Sequence, residues 1–198
     1  MSPSSARLLE LDDRFRTRLP ELSLEWPPDI PRHPELMAIN ESLAHELVGA
    51  TDWLTSDEGI AVLSGAAQIK GSTPIAMGYA GHQFGGYSPR LGDGRAVLLG
   101  EITTVTGEVV DLHLKGSGRT PFARGGDGKA SLGPMLREFL IAEAMHALGI
   151  PTARALSVIT TGETVVRERA EPGAVLARVA TSHLRVGTFE YAARLGVD

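Results

Sequence analysis

The sequence contains no cysteine. Disulfides, thiolate nucleophiles and zinc–thiolate centres are therefore excluded, and the composition fits a reducing compartment. Positive charge is also in short supply, with 19 Lys and Arg against 24 Asp and Glu and a net charge of -5. That balance argues against a nucleic-acid partner, although local basic spots can still hold phosphate. No stretch approaches the roughly 20 apolar residues that cross a membrane. The opening MSPSSARLLELDDRF has no apolar core behind a basic start. The expectation is a cytoplasmic protein without a membrane partner. Its 198 residues, 42% of them hydrophobic, can bury a core and suit one domain or one large lobe.

Glycine, by contrast, is abundant at 23 residues, and it clusters around one lysine. Residues 91–119, LGDGRAVLLGEITTVTGEVVDLHLKGSGR, read as a glycine turn, a strand over 96–103, a reversal at Gly107 and a second strand over 109–115. Lys115 then stands at the mouth of another glycine-rich loop. Gly92 and Gly94 can take positive φ and leave no Cβ in the way, so backbone N–H groups can close on an anion. In the second strand Val110, Leu112 and Leu114 share one face, and Asp111, His113 and Lys115 share the other. A lysine in a strand needs a reason. Protection of a sheet edge is one and phosphate binding is another. The glycine turns on both sides favour the second.

Residues 78–94 hold six glycines with Tyr79, Phe84 and Tyr87 interleaved. Such a segment is costly to order, so it is expected to close on a ligand or another lobe. His82 within it reads as a packing or hydrogen-bonding residue. Residues 116–133 hold six more glycines, with Arg119, Arg124, Lys129 and an Asp127-Gly128 turn. This is no P-loop, because Ala123 and Ala130 stand where glycine and Ser or Thr belong. Nor is it a dinucleotide fingerprint, since GDGRAV ends in Val97.

A helix over 132–148 follows, capped by Ser131 and stopped by Gly149 ahead of Pro151. Its apolar residues run nearly all the way round, which predicts burial on most sides. Glu138 on that helix wants a cation, and pairing with Lys115 is the device protein kinases use to orient a lysine. Strands over 154–160, 164–169 and 174–182, with turns at 161–163 and 171–173, bring the count to five in one antiparallel sheet. Arg178 and Arg185 can converge as an anion clamp, or pair with Glu138 or Asp127 for structural reasons. Ahead of all this, five prolines between Pro20 and Pro34 are expected to keep the first 34 residues irregular, with Phe15 and Trp26 pinning them down. Two short helices follow. One is capped by Asn40 and ended by Gly49, the other is opened by Thr55 with Glu58 and ended near Gly65.

Four blocks in order, GYAGHQFGGYSPRLGDGRAVLLGE, DLHLKGSGRTPFARGGDGKASL, LREFLIAEAMHALGIPTARALSV and RVATSHLRVGTFEYAARLG, resemble the N-terminal half of the selenoprotein O family, also called YdiU. The resemblance runs from about Leu36 to the last residue. It implies an α+β fold like the N-terminal lobe of protein kinases, a five-stranded, mostly antiparallel sheet packed on a long buried helix. An N-terminal helical arm over 1–35 and a nucleotide-binding lobe over 36–198 are the implied domains.

The implied activity is transfer of AMP from ATP to hydroxyl side chains of proteins, with ATP reversed relative to kinases. Position by position, the family's glycine loop falls on Gly92, Gly94 and Arg95, and its phosphate-binding lysine on Lys115. The glutamate holding that lysine falls on Glu138, further nucleotide contacts on Asp127 and Gly128, and two phosphate-contacting arginines on Arg178 and Arg185. Family members are more than twice this long. Their catalytic aspartate, and the asparagine and aspartate that bind magnesium or manganese, lie in a C-terminal lobe that would partner this one. No catalytic or metal-ligating residue is therefore assigned here, and the chain alone is expected to be inactive. Kinase-type phosphoryl transfer and a nucleotide-sensing, pseudokinase-like lobe are the alternatives.

Overall fold

The computed structural model of the chain describes residues 9–69 and 71–196. Its strands are β1 (Ser23–Glu25), β2 (Glu35–Ile39), β3 (Ile75–Met77), β4 (Gly81–Gln83), β5 (Gly86–Ser88), β6 (Ala96–Thr103), β7 (Val109–Lys115), β8 (Arg154–Val166) and β9 (Ala170–Ala180). Its helices are α1 (Arg14–Arg18), α2 (Glu41–Val48), α3 (Asp57–Ser64), α4 (Leu132–Ala147) and α5 (Val186–Leu195). The result is a mixed α+β fold. Seven strands form one antiparallel sheet in the order β1-β3-β6-β7-β9-β8-β2, and β4 and β5 make a separate hairpin.

Seven strands stand where five were expected, for two reasons. The proline-rich start is irregular only over 26–34: residues 14–25 form α1, a 3-10 turn and β1, which pairs with β3 at one sheet edge, and β2, just beyond the prolines, pairs with β8 at the other. There proline's missing N–H costs no central ladder bond. β3 adds a further strand. Conversely, the two strands expected on either side of residues 161–163 are one strand, β8, whose register shifts between Thr160 and Thr164. Gly162, at φ +67, approaches His33 there, so its turn-like conformation makes a bulge, not a reversal. The reversal comes at residues 167–169, where the Arg167 N–H donates to the Arg169 carbonyl. Pro172 lies within β9, paired with Thr164 of β8, beyond the stretch of β9 that pairs with β7.

Two layers cover the sheet. On one face Leu43 and Leu47 of α2 and Val62 and Leu63 of α3 pack with Val110, Leu112 and Leu114 of β7 and with Leu9 and Leu11. On the other face Met135 and Ala142 of α4 pack on Ala155, Val158 and Leu176. Phe15 packs on Ile75, Met77 and Leu98, and the Trp26 indole donates to the Arg119 carbonyl at 2.7 Å. Asn40 caps α2 through the Leu43 N–H, and Gly49 closes it in the left-handed conformation. Ser56, not Thr55, caps α3 through the Gly59 N–H.

Helix α4 departs from expectation. Only Met135 and Ala142 are buried on it, and Leu140 and Ile141 are 67% and 55% exposed. The helix packs mainly across β8 and β9, and among the described residues no element covers its far side. Ser131 occupies the N-cap position without a side-chain capping bond. The sheet beside α4, at β7 and β6, is left for a polar site.

Candidate functional site

The site grows from the central strand. β7 lies between β6 and β9, so Lys115 is no edge-strand lysine. Strand alternation puts Asp111, His113 and Lys115 on the face shared with α4, and the antiparallel register sets His113 directly opposite Arg178 of β9. Glu138 reaches down from α4. Its carboxylate accepts from the Lys115 ammonium through Oε2 and from Arg178 Nη1 through Oε1 at 3.2 Å. Arg178 Nη2 lies 2.9 Å from His113 Nδ1, and His113 Nε2 lies 3.0 Å from Asp93 Oδ2. The chain of contacts thus runs from Lys115 through Glu138, Arg178 and His113 to Asp93. The His113 ring stacks on His183 at 4.4 Å, and Asp111 accepts from the His183 N–H at 2.7 Å.

Burial sets the protonation states. It is the largest influence on His113, which is fully buried; despite the Asp93 carboxylate its pKa falls to about 3, so the ring is neutral. Burial also lowers the pKa of Arg178 and of Lys115, while Glu138 pulls both the other way. For Glu138 burial works upward, but Lys115 and Arg178 outweigh it and hold the carboxylate below its ordinary value. Asp93 behaves alike: burial raises it, and His113, Arg185 and Arg178 together bring it below the usual range.

Beside this chain opens a cleft of about 680 Å³. All eight positions that the sequence led us to expect at a nucleotide (Gly92, Gly94, Arg95, Lys115, Asp127, Gly128, Arg178 and Arg185) line it. Glu138 stands behind Lys115. Arg124, Lys129 and Arg167 add three cations to the wall, against the carboxylates of Asp93 and Asp127. Arg185, at the N-terminus of α5, lies over the Tyr79 ring at 4.8 Å and 3.9 Å from Asp93 Oδ1. Arg95 makes no side-chain hydrogen bond or salt bridge among the described residues. An anion entering the cleft meets a strongly positive surface.

Two N–H groups of the glycine loop expected to cradle an anion are already used within the protein. The Asp93 N–H donates to Met77 and the Gly94 N–H to Gly92, so neither faces an anion. A Cβ on Gly92 would lie 2.3 Å from the Phe122 ring, one on Gly94 2.8 Å from the Phe122 carbonyl, and one on Gly128 2.1 Å from Gly118. These glycines let the two loops close on each other, and side chains supply the charge. Asp127 is held by Arg167 in a two-point contact of 2.8 and 2.9 Å, whose hydrogen bonds depress its pKa. Lys129 is paired with Glu163 at 2.6 Å.

Sequence reasoning did not single out Asp93, Arg167 or His183. Arg167 and His183 carry no local signal. The alternation that selected Lys115 already placed His113 beside it. His82 is exposed on β4, edge-on to Tyr87 at 5.3 Å. No helix among the described residues is long and apolar enough to cross a membrane.

Residues 9–196 match a family model described as "Protein adenylyltransferase SelO". The chain is 60% identical over 192 residues to the "Protein nucleotidyltransferase YdiU" of Mycolicibacterium smegmatis, covering 97% of this chain and 40% of that protein. It is 60% identical over 186 residues to the protein of that name from Rhodococcus jostii, with 94% and 36% covered. For the one from Geobacillus kaustophilus the figures are 59% over 186 residues, with 93% and 38% covered. The chain therefore spans about two fifths of the length of the curated relatives it matches.

Proposed function

Because the chain belongs to the family of the protein adenylyltransferase SelO, we propose that its cleft is the ATP-phosphate site of a protein that transfers AMP to protein hydroxyls. The observation that supports this reading is one wall holding Lys115, Arg178 and Arg185, with Lys115 and Arg178 joined through Glu138. On this reading residues 36–198 are a kinase-like nucleotide lobe and residues 1–35 its arm. A Ser, Thr or Tyr hydroxyl attacks the α-phosphorus and pyrophosphate leaves. Lys115, Arg178 and Arg185 hold the departing phosphates and offset their charge, while the two closed loops fix their position.

Magnesium or manganese finds no ligand set among the described residues. No group of three His, Asp or Glu is placed to hold a metal ion, and the cleft's two carboxylates are bound to His113 and Arg167. We assign the metal ligands and the catalytic aspartate to the part of the longer relatives that this chain does not span. That part is also this lobe's proposed partner.

The test uses ATP labelled at the α or the γ position, with this chain and with a form extended to the relatives' length. The extended form is expected to place α-label on a protein acceptor, and γ-label there would assign phosphoryl transfer instead. In the extended form Lys115→Ala is expected to cost about 2–5 kcal/mol, on the order of 30-fold or more in rate. Turnover like the unaltered protein's would remove Lys115 from the role.

A further inference from the structure

We propose that His113 is a positioning residue of the cleft, a neutral imidazole that locks the Arg178 guanidinium, and through it Glu138 and Lys115, into the geometry the cleft presents. The inference rests on the phosphate-site reading for its functional consequence and on hydrogen-bond chemistry for its mechanism. Arginine offers only donors, so Nδ1 of His113, 2.9 Å from Arg178 Nη2, must accept. An ionised carboxylate only accepts, so Nε2, 3.0 Å from Asp93 Oδ2, must donate. One tautomer satisfies both, and a protonated ring would set an N–H against an N–H.

Arg178 depends on this contact. Its Nε is buried without a partner, so the only side chains that bind the guanidinium, among the described residues, are Glu138 and His113. Loss of the His113 acceptor leaves it hinged on Glu138, which must then also hold Lys115 against a mobile neighbour. The His183 ring at 4.4 Å closes one face of the imidazole, so no water can replace the acceptor from that side. The charged and titratable groups facing His113 are Asp93 from the loop before β6, Arg178 from β9 and His183 from the loop after β9.

The experiment uses the whole chain. Histidine-selective nitrogen NMR is expected to show His113 with Nε2 protonated and Nδ1 bare, unchanged from neutral pH to about pH 5, below ordinary imidazole titration. The Arg178 guanidinium protons should exchange slowly. An Nδ1-protonated ring in the unaltered protein overturns the proposal without any substitution. His113→Leu is expected to abolish the slow Arg178 signals. It should also weaken binding of inorganic tripolyphosphate, measured by calorimetry, about tenfold, the loss of one charge-assisted hydrogen bond. His113→Gln, with one donor and one acceptor group, should recover most of both. Equal effects of Leu and Gln, or slow Arg178 signals that survive in the Leu variant, overturn it. If neither the unaltered chain nor the form extended to the relatives' length takes up tripolyphosphate, the phosphate-site reading falls and the Arg178 signals alone decide for or against the positioning role.

Discussion

His113 gives the molecule an acid sensitivity whose sign is fixed. Its pKa is 6.5 when solvated and about 3 in the fold, so between those values the unfolded chain binds a proton that the folded chain refuses. Stability is therefore fully present above about pH 6.5 and falls on acidification by about 1.4 kcal/mol per pH unit, reaching about 2 kcal/mol by pH 5. Asp93 and Glu138 have depressed pKa values too, but from ordinary values of 3.8 and 4.5, so their contributions are lost only at a pH below about 5. Urea denaturation at pH 7 and pH 5 checks the slope, and His113→Gln should flatten it. Glu138 is the second sensitive position. Glu138→Ala strands Lys115 and Arg178 together, and because the carboxylate is 30% exposed the expected loss is about 2 kcal/mol, below that of a fully buried pair. A loss under half that in urea would mean solvent already screens the three groups. The Lys115–Glu138 pair was legible because strand and helix periodicities point both side chains at one layer boundary. The Asp93–His113 contact was not, since a loop conformation decides where a carboxylate twenty residues away turns.

The β4–β5 hairpin stores strain in its turn. Gln83 pairs with Gly86, leaving Phe84 and Gly85 as the two central residues at φ +54 and +80. Such a turn wants Asn or Gly at both positions, and a bulky residue at positive φ is an outlier. Phe84 is 98% exposed, so no packing within the described residues offsets the strain. Phe84→Asn is expected to stabilise the chain by about 0.5–1 kcal/mol, read as a higher urea midpoint at unchanged slope. An unchanged midpoint would mean that the hairpin opens apart from the rest. Elements like this one show where local chemistry is informative. The caps Asn40, Gly49 and Gly65 and the alternation of β7 were readable because each depends on neighbours within a few residues. The β8 bulge was not, because a Thr-Gly-Glu run looks the same whether the strand turns back or merely yields to His33. Helix α4 misled for a related reason. An all-round apolar surface shows that a helix can be buried and says nothing of how many elements reach it.

The sheet as a whole is bounded at one edge by a strand from the segment that its prolines made look irregular and at the other by the strand that follows it. β1 covers β3 and β2 covers β8, and Leu9, Leu11 and Leu22 are 3%, 9% and 3% exposed. Edge pairing is set by residues fifty or more positions apart for β1 and more than a hundred for β2, a distance over which local pattern carries no information. The consequence is that residues 9–25 help close the fold although none of them lines the cleft. Removing residues 1–35 takes away β1, uncovers the β3 edge and withdraws Phe15 and these three leucines from their packing. At about 1.5–3 kcal/mol for each of the three buried leucines, with less from the half-buried Phe15, the loss is on the order of 5–10 kcal/mol, comparable with the whole stability of a domain. The shortened chain is therefore expected to lose its cooperative thermal transition by circular dichroism and to associate through the bared edge. A chain starting at residue 36 that melts cooperatively within a few degrees of the intact one would show that residues 1–35 are an appendage and that the rest of the chain stands without them.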